Sequence, residues 1–364
     1  MISIIGLFPL QGNGGIASWT KKFLSTFPDE NHALMPIDIA PEKDFSKFHG
    51  ADRFKYGWEA YYRIKRDVKR TLAEHPDFQI MHLTTSGGYG VFRDHTIARI
   101  CKKHGIKTVM HCRFGTIKEL YEGKGVVSYF FRKNIALYDN IWVLDRRSAN
   151  FLQSIPVLKE KIKLTPNSIE VPEIESIPPK TYKRVGFVGN ILRTKGVFEL
   201  VEAVTSLAND TELYVVGIGN DEDIAEIKRI AGDKTDKAIH LLGRLPNAEA
   251  VKLMETLDIV CLPTYYPGEA FPISILEAMS RGKMVISCPR AAIPDMLTAL
   301  DGSLCGKLVS EKSASEIAEA IIWCQEHKEE SDEMCRKAYA KVKTCYSKEV
   351  VYDIYRENYR KLLE

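Results

Sequence analysis

At 364 residues the chain is too long for one comfortable core and suits two domains of ordinary size, and its apolar and charged fractions are those of a soluble globular protein. A net charge of +3 is nearly balanced, where a nucleic-acid binder usually shows a stronger basic stripe, and no recognition motif for nucleic acid is present. The eight cysteines have neither Cys-x-x-Cys pairing nor a His cluster at zinc spacing, so they read as reduced thiols of a cytoplasmic protein, and no metal site is expected. The opening MISIIGLFPL lacks a basic n-region and reads as a buried first strand. No apolar run reaches the ~20 residues needed to span a bilayer, so any contact with lipid is expected to be peripheral.

Short apolar runs of the parallel-sheet kind follow in chain order: residues 2–8, 33–39, 78–83, 107–111, 140–144 and 161–164, with amphipathic helices between several of them. Proline and charge in VPEIESIPPKTYK (171–183) mark a linker. The pattern restarts at 184–188, 213–216, 239–242, 259–262 and 284–287. Two alternating units predict two doubly wound sheets, with ligand at the carboxyl ends of the strands and in a cleft between two Rossmann-like domains. The expected division is 1–175 and 176–346, followed by a long helix over 347–364 with apolar residues at helical spacing.

The glycine loop QGNGGIASW (11–19) supports two readings. Gly12, Gly14, Ala17 and, about twenty residues on, Asp38 match the dinucleotide fingerprint of a nicotinamide-dependent oxidoreductase. Against this, Pro9, Leu10 and Gln11 lengthen the turn that the fingerprint requires to be tight. His111 closes the fourth strand, where a side chain faces the ligand end of the sheet or is simply capped there. Residues 45–70 interleave Phe45, Phe48, Phe54, Trp58, Tyr61 and Tyr62 with lysines and arginines, and SYFFRKN (128–134) has the same character. Such a stretch suits an anionic membrane surface or, equally, a domain helix with an aromatic inner face.

GEAFPISILEAMSRG (268–282) places Glu269 and Glu277 around the start of a helix predicted over 272–281, behind the apolar strand ending at Leu262. The first N–H groups of a helix lack intrahelical partners and favour an anion such as a diphosphate. Glu277 falls on the same face as Ile273, where a carboxylate can take both hydroxyls of a ribose, while Glu269 precedes the helix and can meet a second set of hydroxyls. Two solvated glutamates on an ordinary amphipathic helix give the same pattern.

Glu269 and Glu277, separated by seven residues, with Phe271-Pro272 following the first and Ala278-Met279 following the second, resemble the donor-site motif of the retaining GT-B glycosyltransferases of family 4. VGFVGNILRTKG (185–196) resembles that family's donor-phosphate segment, and 213–219, 240–249 and 283–297 resemble the strands and turns around its base pocket. TVMHC (108–112) and KLTPNSIEVP (163–172) resemble its His-bearing strand end and its domain junction. The resemblance implies a nucleotide-diphosphate sugar as co-substrate, UDP ahead of GDP, with no metal and no other cofactor. It implies a hydroxyl acceptor on a surface glycan or a lipid-linked molecule. Lys195 would neutralise charge on the leaving diphosphate, Arg244 and Leu245 would line the base pocket, and Glu269, Phe271, Pro272, Ile273 and Glu277 would hold sugar, phosphate and ribose. Gly14 and Gly15 would let backbone approach the phosphates or the acceptor, and His111 would bond the donor sugar or acceptor beside the reacting carbon. One departure stands out: the family's arginine after Val-Gly is Asn190 here, and Arg193 is the nearest stand-in. That departure keeps open a non-catalytic subunit that binds sugar nucleotides without turnover. In the GT-B architecture the last helix returns to the first domain, as 347–364 would.

Overall fold

The computed structural model describes residues 1–12, 15–40, 50–174, 177, 181–207 and 210–364, and of residues 51–54 and 247 the backbone alone. Gly14 and positions 45–49 of the basic aromatic segment lie outside the described residues. The chain divides into two units, Met1–Thr165 with Tyr352–Glu364, and Pro166–Val351. Among the described residues no helix is long and apolar enough to cross a membrane.

In the first unit the chain runs β1 (Ile2–Phe8), α1 (Gly15–Thr26), β2 (His32–Asp38), α2 (Gly50–Glu74), β3 (Ile80–Thr85), α3 (Gly90–Lys103), β4 (Lys107–Cys112), α4 (Ile117–Glu122), α5 (Val126–Leu137), β5 (Asn140–Val143), α6 (Arg146–Gln153) and β6 (Ile162–Leu164). The strands form one six-stranded parallel sheet in the order β2-β1-β3-β4-β5-β6, so the winding reverses between β1 and β3. Alternation sorts the side chains onto two buried faces of different chemistry. Ile5, Leu7, Met81, Leu83, Met110, Ile141 and Val143 form an aliphatic face packed with Ile64 and Val68 of α2, Ile97 of α3 and Phe131 of α5. The opposite face carries Phe8, His82, His111 and Trp142. Register puts His111 beside Trp142 and two positions diagonally from His82, because Thr84 pairs with His111. Gly6 pairs with His82, and a Cβ there would lie 2.2 Å from the Phe8 ring, so the missing side chain makes room for that ring.

The second unit contains β7 (Arg184–Val188), α7 (Val197–Ser206), β8 (Glu212–Val216), α8 (Asp221–Ala231), β9 (Ile239–Gly243), α9 (Asn247–Thr256), β10 (Ile259–Leu262), α10 (Ile273–Met279), β11 (Met284–Ser287), α11 (Ile293–Met296), β12 (Lys307–Leu308), α12 (Ala314–Glu326) and α13 (Lys328–Cys345). Its sheet is also six-stranded and parallel, ordered β12-β11-β10-β7-β8-β9, with the reversal between β7 and β10. Asn220 and Ser313 cap α8 and α12 by accepting from Asp223 and Glu316 N–H, the local signal that starts both helices. The final helix, α14 (Lys348–Leu363), carries the chain from the second unit back into the first. Its Tyr352, Tyr355 and Tyr359 share one face by helical spacing and cover the aromatic side of the first sheet: Trp142 lies 4.8 Å from Tyr355 and 4.9 Å from Tyr359, ring centre to ring centre. Tyr352 also meets Thr26 Oγ1 at 2.7 Å, and Arg356 Nε donates to Asp29 Oδ2 at 2.9 Å.

Two doubly wound sheets are what the sequence predicts, and β1, β7, β10 and β11 begin and end where the apolar runs do. β12 was not expected, since two residues are too short to show a period. The helix predicted over 272–281 is shorter, Ile273–Met279. Pro272, at φ −69° and ψ 120°, is the extended residue that precedes it rather than its first helical one.

Candidate functional site

In the second unit the loops after β7 and β10 diverge at the point where the winding reverses, the usual ligand position in an open parallel sheet. Two contacts lace these loops together. Tyr265 N–H donates to Thr194 O at 2.8 Å. Gly196, at φ 76°, brings its backbone so close to Pro263 that a Cβ would lie 2.1 Å from Pro263 O, a conformation and a spacing that together require glycine. The lacing sets Lys195, the last residue of a 3-10 turn over Arg193–Lys195, against Glu269: Nζ donates to Oε2 at 2.6 Å. Thr264 Oγ1 donates to the same carboxylate oxygen at 3.2 Å, and the Tyr266 ring lies 5.0 Å from the ammonium. Both charges are largely covered, at 17% and 10% side-chain exposure, so each depends on the other for compensation. An ammonium held by one carboxylate over an aromatic ring keeps donors available for an incoming anion.

Other expected residues stand differently. Arg193 Nη2 donates to Glu226 Oε2 at 2.7 Å and its guanidinium lies 4.1 Å over the Phe198 ring, which raises its pKa through the Glu226 hydrogen bond. The two cations of this turn therefore have separate partners, Glu269 for Lys195 and Glu226 for Arg193. Asn190 itself is exposed. Phe271 is turned inward: its ring meets Tyr346 at 5.3 Å and its carbonyl accepts from Asn167 Nδ2 at 2.8 Å. Ile273 opens α10, and Glu277 lies within it at 9% exposure, with Arg281 Nη1 donating to its carbonyl at 3.1 Å. Arg244 and Leu245 follow β9 at the edge of the sheet, the first exposed and the second half-buried.

In the first unit, Gly15 opens α1 on an exposed surface where an added Cβ would meet nothing. Asp38 Oδ1 accepts from Leu10 N–H at 2.9 Å and Ala40 N–H at 2.8 Å, fastening the ends of β1 and β2 to one another. His111 is fully buried rather than open at a strand end. The reason is the cover: Trp19 of α1, Trp142 and Tyr355 all meet its ring. Burial, and then the nearby Arg113 charge, hold its pKa well below the ordinary value. Among the described residues no group of three or more His, Cys, Asp or Glu is placed to hold a metal.

Residues 172–341 match the family model described as glycosyl transferases group 1. Through that segment, which is 170 of the 364 residues, the chain is similar to this family. The uncharacterized glycosyltransferase MJ1069 of Methanocaldococcus jannaschii is 27% identical over 235 residues, 59% of this chain and 58% of the relative. The N,N'-diacetylbacillosaminyl-diphospho-undecaprenol alpha-1,3-N-acetylgalactosaminyltransferase of Campylobacter jejuni is 33% identical over 132 residues, 35% of this chain and 32% of the relative. The chain thus spans less than two thirds of the length of either relative. Anabaena Alr3699/HepE, solved in complex with UDP, superposes with a TM-score of 0.72 over 99% of both chains at 15% identity, which fixes the fold as GT-B.

Within this group 1 segment, reading the sequence singled out Lys195 and Glu269 and missed Thr264, Tyr265 and Tyr266, which complete their surroundings. Tyr265 OH donates to Glu199 Oε1 at 3.1 Å, and burial, then Glu199, push its pKa up to about 12. The available signal was a Thr-Tyr-Tyr run directly after the β10 proline. In the first unit His82, Trp19 and Arg113 were missed, since strand register sets the place of His82 beside His111, Trp19 reaches it from α1, and Arg113 folds back on it from just past the end of β4.

Proposed function

We propose that the chain is a retaining, metal-independent glycosyltransferase that moves a sugar from a nucleotide diphosphate, UDP ahead of GDP, to a hydroxyl of a surface glycan or lipid-linked acceptor. The observation that carries this reading is the covered Lys195–Glu269 pair at the winding reversal of the second sheet. In this reading Lys195 takes the negative charge that builds on the departing diphosphate, a preorganised interaction stronger in the transition state than in the ground state. Glu269 holds the ammonium in place before donor binds and then meets sugar hydroxyls, with no covalent step of its own. The leaving phosphate oxygen takes the acceptor proton on the face from which the acceptor attacks. Glu277 holds the ribose. The second unit binds donor and the first unit binds acceptor.

Asp38 weighs against the oxidoreductase reading, because the carboxylate oxygen that would serve a ribose already fastens two backbone N–H groups. A thermal-shift screen separates the cases. A UDP-sugar at ~100 times its dissociation constant adds ~2.7 kcal/mol of apparent stability, while nicotinamide dinucleotides add nothing. Stabilisation by the dinucleotides alone would sink the transferase reading, and donor stabilisation without turnover on any acceptor would leave a non-catalytic binding subunit.

The same reading places the chain in the cytoplasm, on an anionic membrane face. On α2, Trp58 and Tyr62 stack with ring centres 5.8 Å apart and are 46% and 60% exposed, while Ile64 and Val68 are buried. Arg66 and Arg70 follow on the exposed side, each only 3.5 Å from Asp67, a separation at which exposed pairs contribute little. Sedimentation with phosphatidylserine vesicles is expected to show binding that falls as salt rises, and Lys65, Arg66, Lys69 and Arg70 replaced together by glutamate abolish it. Equal binding to neutral vesicles would refute the electrostatic docking.

A further inference from the structure

Three hydrogen bonds join four buried side chains of the first unit in series. Arg113 Nη1 lies 3.2 Å from His111 Nε2, His111 Nδ1 lies 3.2 Å from His82 Nε2, and His82 Nδ1 meets Tyr359 OH on the final helix. A guanidinium has donors and no acceptor, so the first bond runs from Arg113 to His111. Nε2 of His111 then carries no proton, and its Nδ1 must carry one and donate to His82. The same step repeats at His82, whose Nδ1–H donates to the Tyr359 oxygen. One donor-only group at one end therefore fixes both tautomers and the direction of the whole series.

We infer that His111 and His82 are positioning residues, locked as Nδ1–H tautomers, whose task is to hold Arg113, and that Arg113 is the cation the first unit presents to an oxyanion of a bound substrate. Several features agree. Arg113 immediately follows β4, at the ligand end of a doubly wound sheet, and is 7% exposed. Its guanidinium lies 4.0 Å over the Trp19 ring, so one face is fixed by the ring and one edge by His111. Burial holds His82 neutral, down to about 3, and lowers His111 in the same way. A doubly protonated His111 would place donor against donor at Arg113. The ring thus has no free nitrogen for proton transfer or for a sugar hydroxyl, the role the sequence suggested for it. The presentation of Arg113 to substrate rests on the transferase reading; the tautomers do not.

Long-range proton–nitrogen NMR of the full chain tests the tautomers without any substrate. Both imidazoles are expected as neutral Nδ1–H forms, and Tyr359→Phe shifts the His111 nitrogens although Tyr359 bonds only His82 in the series. An Nε2–H form or an imidazolium at either residue overturns the inference, as does a His111 signal unmoved by Tyr359→Phe. Kinetics test the second half. Arg113→Met lowers kcat/KM about a hundredfold. His111→Gln, which keeps an acceptor near the Nε2 position, stays within about threefold of the parent, and His111→Met added to Arg113→Met costs nothing more. The KM that rises in Arg113→Lys identifies whether the oxyanion belongs to donor or acceptor. If Arg113→Met changes neither kcat nor either KM in an active enzyme, Arg113 does not meet substrate.

Discussion

Lys195→Ala is expected to lower turnover on the order of a hundredfold, the usual loss when one preorganised charge is removed from a developing anion. The ammonium is largely covered, fixed by Glu269 at 2.6 Å and backed by the Tyr266 ring, so little reorganisation is needed when the diphosphate departs. The substitution also takes the compensating charge from the Glu269 carboxylate and leaves it the Thr264 hydroxyl as a neutral donor, so a drop in melting temperature accompanies the kinetic loss. Comparing Lys195→Ala with the double change Lys195→Ala and Glu269→Gln separates the two effects. The double variant recovers stability and does not recover turnover. Full activity in Lys195→Ala would remove the carrying observation from the proposed function. Arg193→Ala is the companion measurement and is expected to be the milder of the two, because its guanidinium is half exposed and committed to Glu226 and Phe198.

Glu277→Ala is expected to weaken donor binding by about 1.5 to 3 kcal/mol, a factor of ten or more in dissociation constant, if its carboxylate takes the ribose hydroxyls. Glu269→Ala, by contrast, depresses kcat more than it changes donor affinity, since contacts near the reacting carbon count most in the transition state. Calorimetric titration with UDP checks the first and steady-state kinetics the second. An unchanged UDP affinity in Glu277→Ala would contradict the ribose assignment.

Much of the architecture was legible because parallel strands buried on both faces appear as uninterrupted apolar runs, and runs such as Ile259–Leu262 and Met284–Ser287 have sharp polar edges. Lys195 and Glu269 were legible as motif residues. Their meeting was not, because it depends on Gly196 packing against Pro263, 67 positions away in sequence. His111 shows the limit most clearly. Its place at the end of β4 was readable, but its burial depends on Trp19 from α1 and Tyr355 from α14, and its partner His82 is chosen by the Thr84–His111 register. Periodicity reports which face a residue takes and carries no information about what covers that face. The same holds for Asp38, whose position fits a fingerprint and whose bonds to Leu10 and Ala40 serve the backbone.

The return of α14 to the first unit bears on how the molecule is made. The aromatic side of the first sheet is covered by tyrosines from positions 352–359, yet the strands beneath them end at Leu164. During synthesis Phe8, His82 and Trp142 emerge one after another and must wait, without their tyrosine cover, until the whole intervening unit has been translated. The first half of the chain is therefore a poor independent fragment: expressed as residues 1–165, it would display a sticky aromatic sheet face and draw chaperones or self-associate. Supplying residues 348–364 in trans as a peptide would be the natural way to render that fragment soluble.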